Sequence, residues 1–133
     1  MKPDTFKKRL DPKNPPNLHD YDEAFRSFDW KLARKELEWF DGTKINAAYN
    51  AIDRHTHTWR KNKIALYWED EDGTSQQFTF EQLSLLSNKL GNILKDFDVN
   101  RGDRVFIFLP RVPELFISFL GTLKIGAIAG TLF

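Results

Sequence analysis

Arg104-Val-Phe-Ile-Phe-Leu109, Glu114-Leu-Phe-Ile-Ser-Phe-Leu-Gly-Thr-Leu-Lys-Ile125 and Ala127-Ile-Ala-Gly-Thr-Leu-Phe133 follow one another, and the switch of period between them decides the fold class. The first is a short apolar run of β-branched and aromatic residues between the turn residues Asn100-Arg-Gly-Asp103 and Pro110, the pattern of a buried strand. In the second, Leu115, Phe116, Phe119, Leu120 and Leu123 recur at helical spacing. Pro113 stands just ahead of them, where a first helical turn tolerates it because that N–H has no intrahelical partner. Gly126 closes the helix, and the third run resumes as an apolar strand. Strand, helix and strand make a βαβ unit, whose crossover implies a parallel sheet and an α/β fold. A parallel sheet is covered on both faces, so further strands and helices are expected around this one. Left open, a strand carrying Ile128, Leu132 and Phe133 forfeits roughly 1.5 to 3 kcal/mol for each large apolar side chain in water. A domain has only about 5 to 15 kcal/mol in total. The expectation for the isolated chain is marginal stability, or self-association through the terminal strand.

Working upstream, Leu83, Leu86, Leu90, Ile93, Leu94 and Phe97 form one apolar stripe on a helix from Phe80 to Phe97, with Thr79 placed to cap it. Ile64-Ala-Leu-Tyr-Trp68 and Gln76-Gln-Phe-Thr-Phe80 flank the turn Glu69-Asp-Glu-Asp-Gly73 and predict a hairpin. Asn46 starts a helix running toward Trp59. Asp20 followed by Glu23 has the form of a capping box ahead of Phe25 and Phe28, and Asp29 recaps a short helix carrying Leu32 and Leu37. Pro3, Pro12, Pro15 and Pro16 among scattered charges mark residues 1–18 as a flexible arm. The organisation read from these signals is an arm over 1–18, a helical leader over 19–60, and the incomplete first part of an α/β domain over 61–133.

Composition narrows the classes further. The 133 residues are one domain's worth of chain, and 41% hydrophobic with 29% charged residues is the make-up of an ordinary globular protein. With 20 basic against 19 acidic residues, bulk charge offers nothing to attract a nucleic acid or an anionic membrane. The absence of cysteine excludes disulfides and thiolate metal sites and fits a cytoplasmic location. No run of eighteen uncharged apolar residues is present to span a membrane.

The candidate chemical groups each have a plainer explanation. His55 and His57, two residues apart, point to different faces of a helix rather than to one metal. Glu69-Asp-Glu-Asp-Gly-Thr74 lacks the alternating ligands and closing Glu of a calcium loop and reads as a solvated turn. Gly121, Gly126 and Gly130 do not have dinucleotide-fingerprint spacing. Arg101-Gly-Asp103 matches an adhesion tripeptide, but a turn before a strand favours Gly and Asp on conformational grounds. Trp30, Trp39, Trp59 and Trp68, with twelve Phe, lie mostly in apolar patterns of the kind a core uses. Arg111, between Pro110 and Pro113 at the carboxyl end of the strand ending near Leu109, alone has the position of a ligand contact, because open α/β sheets bind ligands at that edge. A structural or surface role is the stronger reading even there. No residue is assigned as catalytic or metal-ligating, and cofactor-binding residues stay unassigned.

Phe78-Thr-Phe-Glu-Gln-Leu-Ser84, Asn100-Arg-Gly-Asp-Arg-Val-Phe-Ile-Phe-Leu-Pro-Arg-Val-Pro-Glu114 and Leu123-Lys-Ile-Gly-Ala-Ile-Ala-Gly130 together resemble the N-terminal part of acyl-adenylate-forming enzymes. The likeness is strongest to the AMP-forming acetate–CoA ligase (acetyl-CoA synthetase) branch. That branch's leader is resembled by Tyr21-Asp-Glu-Ala-Phe25, Phe28-Asp-Trp30 and Asn46-Ala-Ala-Tyr-Asn-Ala-Ile-Asp-Arg-His55. A departure stands at Thr131, where the family often has Pro. The resemblance implies a Rossmann-like N-terminal domain and a two-step reaction. ATP and acetate form acetyl-adenylate with release of pyrophosphate, and coenzyme A then takes the acetyl group. It also implies Mg2+, and the remainder of the ligase chain as partner. The family's phosphate loop, magnesium-binding acid and C-terminal lysine match nothing in this sequence, so the resemblance implies a scaffold segment that is inactive alone. A self-contained α/β binding or assembly module derived from such an enzyme is the alternative.

Overall fold

A computed structural model describes residues 11–13, 18 and 20–132; most of the arm expected over 1–18, and Phe133 of the last strand, lie outside them. The chain divides into two compact units, Met1–Glu36 and Leu37–Phe133. In the first unit, helix α1 (Tyr21–Ser27) begins where Asp20 Oδ1 accepts from the Glu23 N–H at 2.9 Å. Helix α2 (Trp30–Lys35) begins where Asp29 Oδ1 accepts from the Lys31 N–H at 2.8 Å. Each carboxylate meets an otherwise orphan donor at a positive helix end. Neither helix has a buried side chain.

The second unit opens with the turn from Phe40 to Lys44, closed by backbone bonds in both directions and bent through left-handed Asp41 and Gly42. A helix follows, widened over Tyr49–Asp53 into π geometry and continuing as helix α3 (Arg54–Thr56). A 3₁₀ turn, Trp59–Asn62, leads into strands β1 (Ile64–Glu69) and β2 (Ser75–Thr79), which pair antiparallel. The connecting turn is held by Asp70 Oδ1, which accepts from the N–H groups of Asp72 and Thr74 at 3.1 and 2.8 Å, with Gly73 at a positive φ. Asp70 serves the turn, and Asp72 beside it is exposed, as the solvated-turn reading implied.

Helix α4 (Phe80–Asp96) starts in a reciprocal capping box, Thr79 Oγ1 accepting from Gln82 N–H and Gln82 Oε1 from Thr79 N–H. Strand β3 (Arg104–Phe108), helix α5 (Pro113–Lys124) and strand β4 (Ile128–Leu132) form the βαβ unit, with β3 and β4 parallel. Asn100-Arg-Gly-Asp103 is the tight turn ahead of β3, Asp103 Oδ2 accepting from the Asn100 N–H at 2.7 Å. The conformational reading of that tripeptide therefore holds.

Two expectations need correction. Trp30 and Trp59 are 79% and 75% exposed rather than core residues. Trp59 instead stacks against its cationic neighbours, with the Arg60 guanidinium 5.0 Å and the Lys63 ammonium 5.6 Å from its ring. On α4, Leu83 is buried, but Ile93 and Phe97 of the expected stripe are exposed, and the buried positions around Leu83 are Ser84, Ser87 and Gly91. The reason is close approach to α5. A Cβ on Gly121 would lie 2.8 Å from the Ser87 carbonyl oxygen and 3.0 Å from Leu90 Cβ. Thr122 and Ser87 are fully buried at the contact, their hydroxyls donating to Ser118 O and to Leu83 O within their own helices. Small residues take the most buried positions beside Leu83, with Leu86, Leu90 and Leu94 half-buried, because the backbones approach closely.

Among the described residues the sheet is covered on one face. Ile107 is buried and Val105 and Ala129 half-buried, whereas Phe106, Phe108, Ile128 and Leu132 on the other face are exposed, so β3 is buried on one face and not on both as its apolar run implied.

Gly121→Ala tests the seam. Alanine gains about 1 kcal/mol of helix propensity over glycine, but overpacking against an immovable carbonyl costs about 1 to 3 kcal/mol. A net loss near 1 kcal/mol is expected in urea unfolding. Gly91→Ala, whose Cβ would meet mainly the Ile125 side chain at 3.3 Å, should be near neutral. A Gly121→Ala chain as stable as the parent contradicts the close approach.

Candidate functional site

Two places in the second unit bring chemistry-bearing groups together. At the carboxyl ends of β3 and β4 lies a cavity of about 330 Å3 lined by Phe108, Leu109, Pro110, Arg111, Leu115 and Leu132. Between Pro110 and Pro113 the crossover loop bends, the Val112 N–H donating to the Pro110 carbonyl oxygen at 2.9 Å, and the indole N–H of Trp68 donates to the Arg111 carbonyl oxygen at 2.7 Å, tying the hairpin to that loop. Arg111 therefore sits on the predicted ligand edge with its backbone fixed by Trp68. Among the described residues the lining around it is apolar and includes no acid, base or nucleophile.

The second place is built around Lys124, the last residue of α5. Its ammonium donates to Asp53 Oδ1 at 2.6 Å, Asn88 Oδ1 at 2.8 Å and the Ser84 carbonyl oxygen at 3.1 Å. Ser84 Oγ donates to the same Asp53 oxygen at 2.5 Å. Asp53 comes from the end of the π turn, Ser84 and Asn88 from one face of α4, so one cation joins three elements. Asn46 adds a second link. Its Oδ1 accepts from the Tyr49 N–H at 3.1 Å, capping the helix it begins, and its Nδ2 donates to the Leu123 and Lys124 carbonyl oxygens at 2.9 and 3.2 Å, capping the C-terminus of α5.

A serine, a lysine and an aspartate in contact invite comparison with a nucleophile and its base, but the hydrogen bonds forbid it. All three ammonium protons of Lys124 are engaged, which leaves no lone pair to take a proton, and the Ser84 hydroxyl donates to a carboxylate inside the fold. The group is a structural lock. His55 and His57 do not converge on a metal, and among the described residues no cluster of His, Asp and Glu is placed to hold one. His55 packs edge-on to Phe80, ring centroids 4.9 Å apart. Burial first, then Arg54 and Arg60, push its imidazole below its ordinary value, while Glu38 pulls the other way. The Tyr49 hydroxyl donates to Glu38 Oε2 at 2.8 Å, a bond that raises the phenol's pKa because ionisation would set two anions together. Among the described residues no helix is long and apolar enough to cross a membrane.

The family described as AMP-binding enzyme matches residues 52–133, which include α4 and the whole βαβ unit. The chain belongs to this AMP-binding enzyme family. Among its relatives, an acetyl-coenzyme A synthetase of Bacillus subtilis is 51% identical over 118 residues, covering 88% of this chain and 20% of that protein. A 3-hydroxypropionyl-coenzyme A synthetase of Sulfurisphaera tokodaii is 41% identical over 109 residues, covering 78% of this chain and 16% of that protein. In structure, an acyl-CoA synthetase of Brucella canis superposes with a TM-score of 0.72 at 39% identity, over 82% of this chain and 20% of its own. The chain thus spans about a fifth of the length of the relatives it matches.

In this member of the AMP-binding enzyme family, sequence reasoning put Arg111 beyond the carboxyl end of β3, where the structure has it, and missed the Lys124 node. Asn46 was read as a helix start, which it is, but its partners on α5 lie 77 and 78 residues away. The available signal was Lys124, a charge at the end of an apolar helical pattern.

Lys124→Met leaves Asp53 largely enclosed without its counter-charge. Removing one partner of a buried pair costs about 3 to 5 kcal/mol; with Lys124 and Asp53 side chains 10% and 19% exposed, the lower end is expected in chemical unfolding. Adding Asp53→Asn should restore part of the loss, and a double variant as unstable as the sum of the singles rules out the coupling. For His55, the folded chain holds the proton less tightly than the unfolded chain. Its contribution is therefore complete above the ordinary value of 6.5 and is lost as pH falls through the lower folded-state value. His55→Phe, which keeps the ring against Phe80, should lose less stability than the parent between about pH 7.5 and about pH 5. Parallel pH profiles would disprove the assignment.

Proposed function

We propose that the chain supplies an N-terminal scaffold segment of an AMP-forming acetate–CoA ligase, the enzyme that joins acetate and ATP as acetyl-adenylate and passes the acetyl group to coenzyme A. The observation that carries this reading is the 51% identity to an acetyl-coenzyme A synthetase over 88% of the chain. Residues 19–60 serve as its leader, and residues 61–133 open its AMP-binding domain. ATP, coenzyme A and Mg2+ are cofactors of the complete enzyme, acetate its substrate and the cytoplasm its place of work. The rest of the ligase chain is the partner that covers Phe106 and Phe108.

The chemistry supports a scaffold role. Adenylation drives a carboxylate onto a phosphate, and two anions approach only where cations and backbone donors are preorganised around the transferring phosphorus. Lys124 has spent its protons on Asp53, Asn88 and Ser84, and Arg111 stands alone at an apolar edge. Neither can carry the step. What these elements offer is a wall: the carboxyl ends of β3 and β4, which in open α/β sheets border the ligand crevice.

ATP–pyrophosphate exchange with acetate tests the reading, run on the 133-residue chain and on the product of the gene's full reading frame. The chain alone should remain at background, since loss of even one preorganised donor costs about 10²- to 10³-fold, while a longer product should exchange. Exchange by the chain alone overturns the scaffold assignment. A full-frame product without activity moves the chain to the class of binding modules.

A further inference from the structure

Beside the Lys124 lock lies a cavity of about 490 Å3 whose lining includes Lys44, Asn46, Asp53, Asn88, Arg101 and Lys124, with Phe40, Tyr49, Ile45 and Ile125 between them. Its hydrogen-bonding capacity is one-sided. Among the described residues Asp53 is the only carboxylate in the lining, and Lys124 and Ser84 already donate to it. Asn88 Oδ1 is taken by Lys124, Asn46 Oδ1 by the Tyr49 N–H, and the carbonyl oxygens of Leu123 and Lys124 by Asn46 Nδ2. The side chains that keep donors to offer are Arg101, Lys44 and the Asn88 amide.

Two of these are held in place by the backbone. Arg101 is anchored where the Gly102 N–H donates to the Gly126 carbonyl oxygen at 3.0 Å, and its aliphatic stem lies over Gly126, where an added Cβ would come within 3.1 Å of Arg101 Cγ. Among the described residues no carboxylate pairs with its guanidinium. Lys44 ends the Phe40 turn, and its contact with Asp41, at 3.4 Å between two exposed side chains, is too weak to withhold it.

We infer that this cavity binds a small organic phosphate, its phosphate among Arg101, Lys44 and the Asn88 amide and its planar or apolar part against Phe40, Ile45 and Ile125. A guanidinium fork, a point cation and an amide present donors to several sides of an anion, and a phosphate has three oxygens with which to accept them. The volume falls in the range of small-molecule sites, far above the needs of a free inorganic ion, and the apolar wall gives an organic group somewhere to rest. The inference requires only this cavity and is independent of the ligase reading.

Calorimetric titration of the full 133-residue chain with AMP and with phenyl phosphate tests it, with adenosine and inorganic phosphate as the separated halves of the ligand. At least one organic phosphate should bind saturably, and about tenfold or more tighter than either half. Arg101→Gln and Lys44→Gln should each weaken it by about tenfold. Lys63→Gln, a cation outside the cavity lining, should leave it unchanged, with circular dichroism confirming that all three variants fold. Absence of saturable binding by both organic phosphates overturns the inference. So does binding that survives Arg101→Gln, which locates the ligand elsewhere, or an equal loss in Lys63→Gln, which reduces it to general charge.

Discussion

One ammonium group organises the second unit. Lys124 stands where α5 ends and the chain must turn into β4, and its three protons go to the π turn and to α4. The ion pair is mostly enclosed, so its worth lies less in net attraction than in how costly any arrangement that separates the charges becomes. That asymmetry selects a single placement of α5 against α4. The Gly121–Ser87 approach needs such selection, because a close backbone contact has no tolerance for sliding. Asn46 repeats the logic by capping two helix ends with one side chain.

The seam and the lock lie on the one face of the sheet that the described residues cover. Few apolar side chains are buried, Leu83, Ile107, Ala127, Ile52 and Ala48 among them, while the outer face of β3 and β4 exposes two phenylalanines, an isoleucine and a leucine. Parallel strands gain most when both faces are dry. Here the order of the βαβ unit comes from its helix face. Trp68, by holding the Arg111 carbonyl oxygen, adds a contact at the far end of β3 that fixes where the crossover loop leaves the sheet.

Much of the fold was legible because it is written in short-range periodicity. The apolar runs of β3 and β4 and the helical spacing between them are local signals, and Pro113 and Gly126 stand where the helix starts and stops. The Thr79 cap and the hairpin turn at Asp70 obey rules that act over four or five residues. What stayed hidden is what depends on partners far along the chain. Asp53 and Lys124 are 71 residues apart, and nothing in the periodicity of either helix announces that their charges meet. The burial of Ser87 and Gly91 in place of part of the leucine stripe was hidden for a related reason, since hydrophobic spacing marks the side that wants to leave water but not how near the partner helix will come. The carboxyl-edge position of Arg111 could be read in advance because topology dictates it; the donor-rich lining between Lys44 and Arg101 could not.

The same long-range contacts commit the charged residues of this site to holding the fold. A base needs a free lone pair and a nucleophile needs a base, and an interior lysine can meet neither need while a carboxylate and two neutral acceptors compete for its protons. Evolving such a group toward catalysis would require removing Asp53, and the fold would lose the interaction that positions α5. Lys124 is thus committed to the fold, and the cations left with donors to offer are Arg101 and Lys44, both exposed.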